Sequence, residues 1–213
     1  MLWLYKVGEL FVRLVFFLLT RNLVIGKENV PIHGPVLVVA NHLSLADPPL
    51  VGISIGRKSR FMAKEELFRS PLLRFILISV GAFPVNRQRL DKGTLRRAEE
   101  ALKQGFPLIM FPESTRSKTI QLQTAFPGAA MIAARNGVPI LPIGITGTEN
   151  IRKGSWWLTR PKLTVNIGVP FRLPSTEGKL TREDLNVYTE IMMRHIASLL
   201  PMDYRGAYAP REE

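Results

Sequence analysis

VLVVANHLSLADPP, residues 36–49, joins a continuous apolar, β-branched run to a polar turn. Val36–Ala40 reads as a buried strand from its length and composition. It stops abruptly at Asn41-His42, and Asp47 and Pro48 follow after a four-residue gap. Asp is a preferred N-cap and Pro is favoured in the first helical turn, so a helix is expected from here through Ile55. The unit is strand, short polar turn, helix. It sets His42 at the carboxyl end of a strand, where open α/β sheets hold their ligands.

That turn permits a definite piece of chemistry. A histidine serves as general base when its tautomer and ring orientation are fixed. A carboxylate accepting from Nδ1–H fixes both and leaves Nε2 to take a proton from a hydroxyl. Asp47 can do this for His42 across so short a turn. The plainer reading is that Asp47 caps a helix and His42 is a loop residue. The two readings are compatible, because a carboxylate has two oxygens. A metal site is disfavoured, since the chain has three histidines and no cysteine and one His with one Asp is too small a ligand set.

Composition narrows the class. At 213 residues the chain is expected to form one domain with a sizeable core. Without cysteine, disulfides and thiol catalysis are excluded. The net charge of +12 and pI near 10.5 imply an anionic partner. A mean hydropathy of +0.09 with 46% hydrophobic residues is high for so basic a chain and favours a membrane over nucleic acid. No recognised nucleic-acid motif is present.

Residues 1–25 are mostly apolar, interrupted by Lys6, Glu9 and Arg13. No uncharged run is long enough to span a bilayer. The interruptions fall on one narrow helical face, with Thr20 continuing it, and Trp3, Phe11, Val15, Phe16 and Leu18 cover the rest. This predicts an interfacial helix lying in anionic lipid, with a helix packed on the domain as the alternative. A cleaved signal peptide suits the stretch poorly.

Further along, His33 sits in a turn, Gly56–Ser59 is a basic turn, and a short strand is expected at 60–63. Helix is expected over 64–80, broken or restarted at Pro71. The basic excess from Arg57 to Arg97 suits a solvated face or anionic headgroups. Residues 81–87 read as a strand ending in Arg87, and 91–104 as a helix whose Leu95, Ala98 and Leu102 share a face. A buried strand over 107–111 ends in Pro112-Glu113-Ser114-Thr115-Arg116-Ser117. Arg87 and Arg116, at the ends of neighbouring candidate strands, can both aim at a phosphate. An alanine-rich helix over 126–135 stops at Asn136-Gly137. Residues 138–145 form an apolar strand with two prolines, suited to a sheet edge or an irregular strand, with accessible backbone at Gly144 and Gly147. Trp156 and Trp157, beside Arg152, Lys153, Arg160 and Lys162, suggest an interfacial belt. A strand over 163–167 and a C-terminal helix over 182–200 follow, capped by Thr181 or Ser175, with His195 a packing or surface residue. The tail after Pro201 is expected to be irregular.

Four clusters now stand in order: NHLSLAD at 41–47, GAFPVNR at 81–87, FPESTRS at 111–117 and VPILPI at 138–143. Together they resemble the glycerolipid acyltransferase family, and most of all its 1-acylglycerol-3-phosphate O-acyltransferases, whose blocks read NHxxxxD, glycine-to-arginine, FPEGTRS and V-P-I-x-P. The resemblance implies an α/β fold with a mixed, mostly parallel sheet flanked by helices and an N-terminal amphipathic, membrane-associated helix. Residues 1–25 would be that helix and 26–213 the acyltransferase domain. It implies His42 as general base and Asp47 as its orienter. Arg87, Glu113, Ser114, Thr115 and Arg116 would form the acceptor site, with Glu113, Arg116 and Arg87 on the glycerol phosphate. The 138–143 strand would help line the acyl-donor site. The implied reaction moves a fatty acyl group from acyl-CoA or acyl carrier protein to the sn-2 hydroxyl of lysophosphatidate, giving phosphatidic acid, with no metal or redox cofactor. The implied location is monotopic, on the cytoplasmic face of the cell membrane.

Two positions depart from the family pattern. Ser114 replaces the glycine of the third block, and Pro127 replaces the lysine of a following F-K-x-G-A pattern. Both bear on the acceptor, so glycerol 3-phosphate or another lysolipid remains an alternative. A non-catalytic basic membrane-binding protein is the alternative from a different class.

Overall fold

A computed structural model describes residues 2–79, 81–85, 92–152, 155–174 and 179–210. In chain order the elements are α1 (Leu2–Leu19), β1 (Arg21–Ile25), β2 (Val36–Ala40), α2 (Asp47–Ile55), β3 (Arg60–Lys64), α3 (Pro71–Ser79), β4 (Ala82–Val85), α4 (Lys92–Lys103), β5 (Pro107–Met110), α5 (Gly128–Asn136), β6 (Ile140–Thr146), α6 (Trp156–Thr159), β7 (Lys162–Ile167), α7 (Arg182–Ser198) and α8 (Met202–Arg205). The strands form one seven-stranded sheet in the order β1-β7-β6-β2-β5-β3-β4. Only β6 and β7 pair antiparallel; the other pairings are parallel.

The unbroken apolar run of β2 has a direct cause. β2 lies in the middle of the sheet and both its faces are covered, as parallel sheets require. Leu37 and Val39 enter one core with Leu102, Ile132 and Ile196. Val36, Val38 and Ala40 enter the other with Leu50, Val51 and Phe16. Each Val or Leu buried this way contributes roughly 1.5–3 kcal/mol.

The crossover through α2 carries the chain from β2 past β5 to β3, and the one through α5 carries it from β5 past β2 to β6. The two connections leave in opposite directions. Right-handed crossovers in opposite directions must use opposite faces, and α2 and α5 accordingly pack into different cores. The carboxyl ends of β2 and β5 therefore form the topological switch point, where such sheets open a crevice.

Several expectations are corrected. The N-terminal helix ends at Leu19, and Arg21–Ile25 is a strand paired with β7. Within α1, Phe16 is buried and Val12 packs against the same core, whereas Leu10, Phe11, Leu14, Phe17 and Leu18 are exposed. The helix thus docks on the domain with one apolar strip and turns a second outward. β6 is interior, not an edge. Its Pro142 sends its carbonyl to Gly168 N–H, on the side away from β2, so the missing donor falls outside the β2 ladder. Gly144 and Gly147 expose no backbone: a Cβ on Gly144 would press on Leu199, and one on Gly147 would overlap the Lys162 carbonyl. The Arg57 guanidinium is engaged by the carbonyls of Pro31, Gly34 and Gly105 and pins loops rather than facing headgroups. Of the tail after Pro201, residues 202–210 are described and 202–208 form helical turns, with Tyr204 donating to Glu149 Oε1 at 2.7 Å. Thr181 caps α7 through a capping box with Asp184; Ser175 and Lys153 lie outside the described residues.

Gly147 has φ +91° and no room for a side chain, whereas Gly52 in the middle of α2 has nothing within 4 Å of a built Cβ. Gly147→Ala is expected to cost about 3 kcal/mol or more. Gly52→Ala is expected to stabilise by about 0.5–1 kcal/mol. Chemical denaturation of both variants checks the pair, and equal effects would contradict the register around β6 and β7.

Candidate active site

At the end of β2 the chain turns back on itself. Asp47 is the first residue of α2 but makes no helix cap. Instead its Oδ2 takes Nδ1 of His42 at 2.8 Å and the N–H groups of Leu43 and Ser44 at 2.6 Å each. An oxygen already receiving backbone donors is an acceptor, so the His42 hydrogen belongs on Nδ1 and Nε2 is left as the base nitrogen. Both side chains are buried, at 3% and 0% exposure. Asp47 Oδ1 has no hydrogen-bond partner among the described residues.

β5 supplies the other half of the site. Its end packs Phe111 against the His42 ring, centroids 4.3 Å apart. The Glu113 carboxylate accepts His42 N–H through Oε1 and Gln123 N–H through Oε2, each at 2.9 Å. Ser117 N–H donates to the His42 carbonyl at 2.8 Å. His42 is therefore held at its ring, its N–H and its C=O. Glu113 is 2% exposed and both its carboxylate oxygens accept backbone N–H groups, so in this structure it braces the backbone around His42. Burial pushes its carboxyl up to about 7, against the two backbone hydrogen bonds that favour the ionised form.

The remaining predicted residues separate. Ser114 lines the cleft at His42, with φ +58°, a left-handed turn that glycine would adopt more easily. Thr115 and Arg116 are exposed and outside the cleft lining. Arg87 lies outside the described residues, and β3 stands between the strands that end near it and near Arg116, so these are not neighbours. The 138–143 segment is buried apart from the half-buried Pro139, and Val138 lines a second groove. Asn41 bridges β2 to β6 by accepting Ile145 N–H at 2.7 Å and donating to Ile145 O at 2.9 Å. No group of three or more His, Cys, Asp or Glu among the described residues is placed to hold a metal ion.

The cleft at His42 has a volume of about 270 Å³ and is walled by Met62, Val85, Met110, Phe111, Phe126 and Met131. Sequence reading missed most of these residues because they come from four separate segments of the chain. Gly128 and Ala129, which open α5, also line it. First-turn N–H groups of a helix have no intrahelical acceptor, and α5 has no side-chain cap. The arrangement joins an oriented imidazole, an apolar cavity and backbone donors, which is a set suited to moving an acyl group onto a hydroxyl.

The family described as Acyltransferase matches residues 21–146. The chloroplastic 1-acyl-sn-glycerol-3-phosphate acyltransferase of Brassica napus is 36% identical over 129 residues, covering 59% of this chain and 37% of that protein. The chain thus spans little more than a third of that relative's length. A 1-acyl-sn-glycerol-3-phosphate acyltransferase of Bacillus subtilis is 27% identical over 178 residues, covering 83% of this chain and 86% of that protein. The crystal structure of the 1-acyl-sn-glycerophosphate acyltransferase of Thermotoga maritima superposes with a TM-score of 0.70 at 33% identity, covering 92% of this chain and 79% of that one.

Glu113→Gln turns one accepting oxygen into a donor facing a backbone N–H. It is expected to cost about 1–3 kcal/mol of stability and to lower turnover without changing acceptor KM. The wild type holds the Glu113 proton more tightly folded than unfolded, so its stability falls as pH rises from about 4.5 to about 7. That decline should be absent in Glu113→Gln. Denaturation at a series of pH values checks it, and a raised acceptor KM would return Glu113 to ligand binding.

Proposed function

The chain belongs to the acyltransferase family, and on that footing we propose that it transfers a fatty acyl group from a thioester donor to the free hydroxyl of a 1-acylglycerol 3-phosphate. The observation that carries this is the 2.8 Å His42–Asp47 contact at the mouth of an apolar cleft. The names of the relatives support lysophosphatidate as acceptor. Acyl-CoA and acyl carrier protein are both donors of the required chemistry.

In this reading the acceptor hydroxyl lies between His42 Nε2 and the thioester carbonyl. His42 takes the hydroxyl proton as the oxygen attacks, and Asp47 stabilises the imidazolium that forms. The new C–O bond forms and the carbonyl oxygen gains negative charge. The N–H groups of Gly128 and Ala129 are assigned to that oxyanion. The C–S bond then breaks, and His42 returns its proton to the departing thiolate. Ser44 is no nucleophile here: it is buried, and its Oγ accepts Ala46 N–H at 3.3 Å. The cleft takes part of an acyl chain, and its methionines adapt to the chain's shape. Arg116, exposed past the end of β5, is the acceptor-phosphate anchor in this reading.

The outward strip of α1 supplies the approach to lipid. Among the described residues no helix is long and apolar enough to cross a membrane. Phe11 and Phe17 are 65% and 72% exposed on a chain of net charge +12, a combination that suits shallow insertion among anionic headgroups.

His42→Ala should abolish transfer in folded protein. Asp47→Asn should lower turnover by about 10⁴, as in the serine-protease triad. The assay uses lysophosphatidate against an unphosphorylated monoacylglycerol of the same chain, with both donor types. Near-normal activity in His42→Ala would overturn the mechanism, and equal use of both acceptors would overturn the phosphate assignment.

Phe11→Ser and Phe17→Ser together should lower co-sedimentation with phosphatidylglycerol liposomes by on the order of tenfold or more, from roughly 1.5–3 kcal/mol of burial per ring, with little change in melting temperature. Unchanged sedimentation would assign the strip to another use.

A further inference from the structure

A second, larger groove of about 690 Å³ runs along α5 and is unused by the mechanism above. Among the described residues its walls carry three cations, Arg135, Arg172 and Lys179, and no acidic side chain. Of the described acids nearby, Glu99 pairs with Arg135 at 3.1 Å, which leaves Arg172 and Lys179 as the groove's unpaired charges among the described residues, and Asp184 is held by the Thr181 cap. Arg172 is fixed in place by its bond to the Gly137 carbonyl. Between the cations the lining is apolar, with Ala134, Leu173 and Leu180.

The position of this groove matters more than its charge. It shares Met131 and Leu185 with the His42 cleft, so the two lie side by side along α5. From Met131 the groove follows α5 to Gly137, about 9 Å further at the helical rise, and there it meets Arg172 and Arg135. A slot that starts at the wall of the His42 cleft, continues between apolar side chains and ends at cations is complementary to a narrow, uncharged chain with an anion at its far end.

We propose that this groove binds the phosphopantetheine arm of the acyl donor, with the thioester at His42 and the phosphate held by Arg172 and Lys179, aided by Arg135. This rests on the acyl-transfer reading. The arm carries a terminal sulfur, two amide links and a phosphate. Its reach is comparable to about four residues of extended chain, roughly 14 Å, which exceeds the about 9 Å from Met131 to Gly137 along α5. Acyl-CoA and acyl carrier protein share the arm, so the groove reads what they have in common. Guanidinium and ammonium groups together give the phosphate a fork and a point charge.

The test measures equilibrium binding to the full chain by calorimetry with non-reactive probes: pantetheine, 4′-phosphopantetheine, CoA and holo acyl carrier protein. Wild type should bind 4′-phosphopantetheine at least about tenfold tighter than pantetheine, the step of one charge-assisted contact. Arg172→Gln and Lys179→Glu should each remove most of that difference and leave pantetheine unaffected. Lys179 is exposed and makes no hydrogen bond or ion pair among the described residues, so its replacement leaves the fold intact even if Arg172→Gln does not. Loss of affinity for CoA, for the carrier protein or for both identifies the donor that uses the groove. Equal binding of the two pantetheines, or wild-type affinity in Lys179→Glu, overturns the proposal. So does a Lys179→Glu variant that loses only binding to phosphatidylglycerol vesicles, which would make the groove a headgroup site. Groove binding that persists in a chain unable to transfer acyl groups would sink the reaction and leave the groove.

Discussion

The hydrogen bond from His42 N–H to Glu113 Oε1 is the constraint on which the site depends. β2 and β5 are neighbours in the sheet but 71 residues apart at this contact. Sheet pairing aligns the strands only as far as Met110, and beyond it both chains are loops. The Glu113 carboxylate continues the alignment past the ladder and fixes the direction in which the imidazole points. A charged group serves here because one carboxylate can accept two backbone donors from segments with no regular pairing. Burial raises its pKa, and the two N–H donors oppose that rise.

What could be read from the chain alone was what is local. The run 36–40 and the turn to Asp47 lie within a few residues of each other, and composition and spacing located both. The same holds for Thr181 at the start of α7. Glu113 was visible as part of a motif, but its partners are set by tertiary contacts, so its bracing role could not be read. The cleft walls at Met62, Val85 and Met131 left no local trace for the same reason. β1 was hidden differently: Arg21–Ile25 continues the apolar character of the helix before it, and the break at Thr20 carries no Gly or Pro. β6 was misplaced because proline usually marks an edge, and only the pairing pattern shows that Pro142 turns its missing donor away from β2.

Two departures from the family pattern gain meaning in three dimensions. Ser114 occupies a left-handed turn beside the cleft, so it holds a side chain where glycine would leave bare backbone. Pro127 precedes α5 and lines the same cleft. Its ring puts apolar surface where the pattern has an ammonium group, and the described cleft wall carries no cation. Positive charge is displaced outward to Arg116 and along α5 to Arg135 and Arg172. The cleft at His42 is apolar with a charged periphery, an arrangement that under the proposed reaction would keep the thioester and hydroxyl away from competing ions.

The joint between α1 and the sheet is a single residue. Thr20 donates both its N–H and its hydroxyl to Phe16 O, and its hydroxyl also meets Asn22 Oδ1. Arg160 reaches across to Phe17 O from the far side. No length of chain is left to act as a swivel. The helix is a keel rather than a tether: any surface on which its outer strip rests also dictates the attitude of the whole sheet, and so the bearing on which the cleft opens.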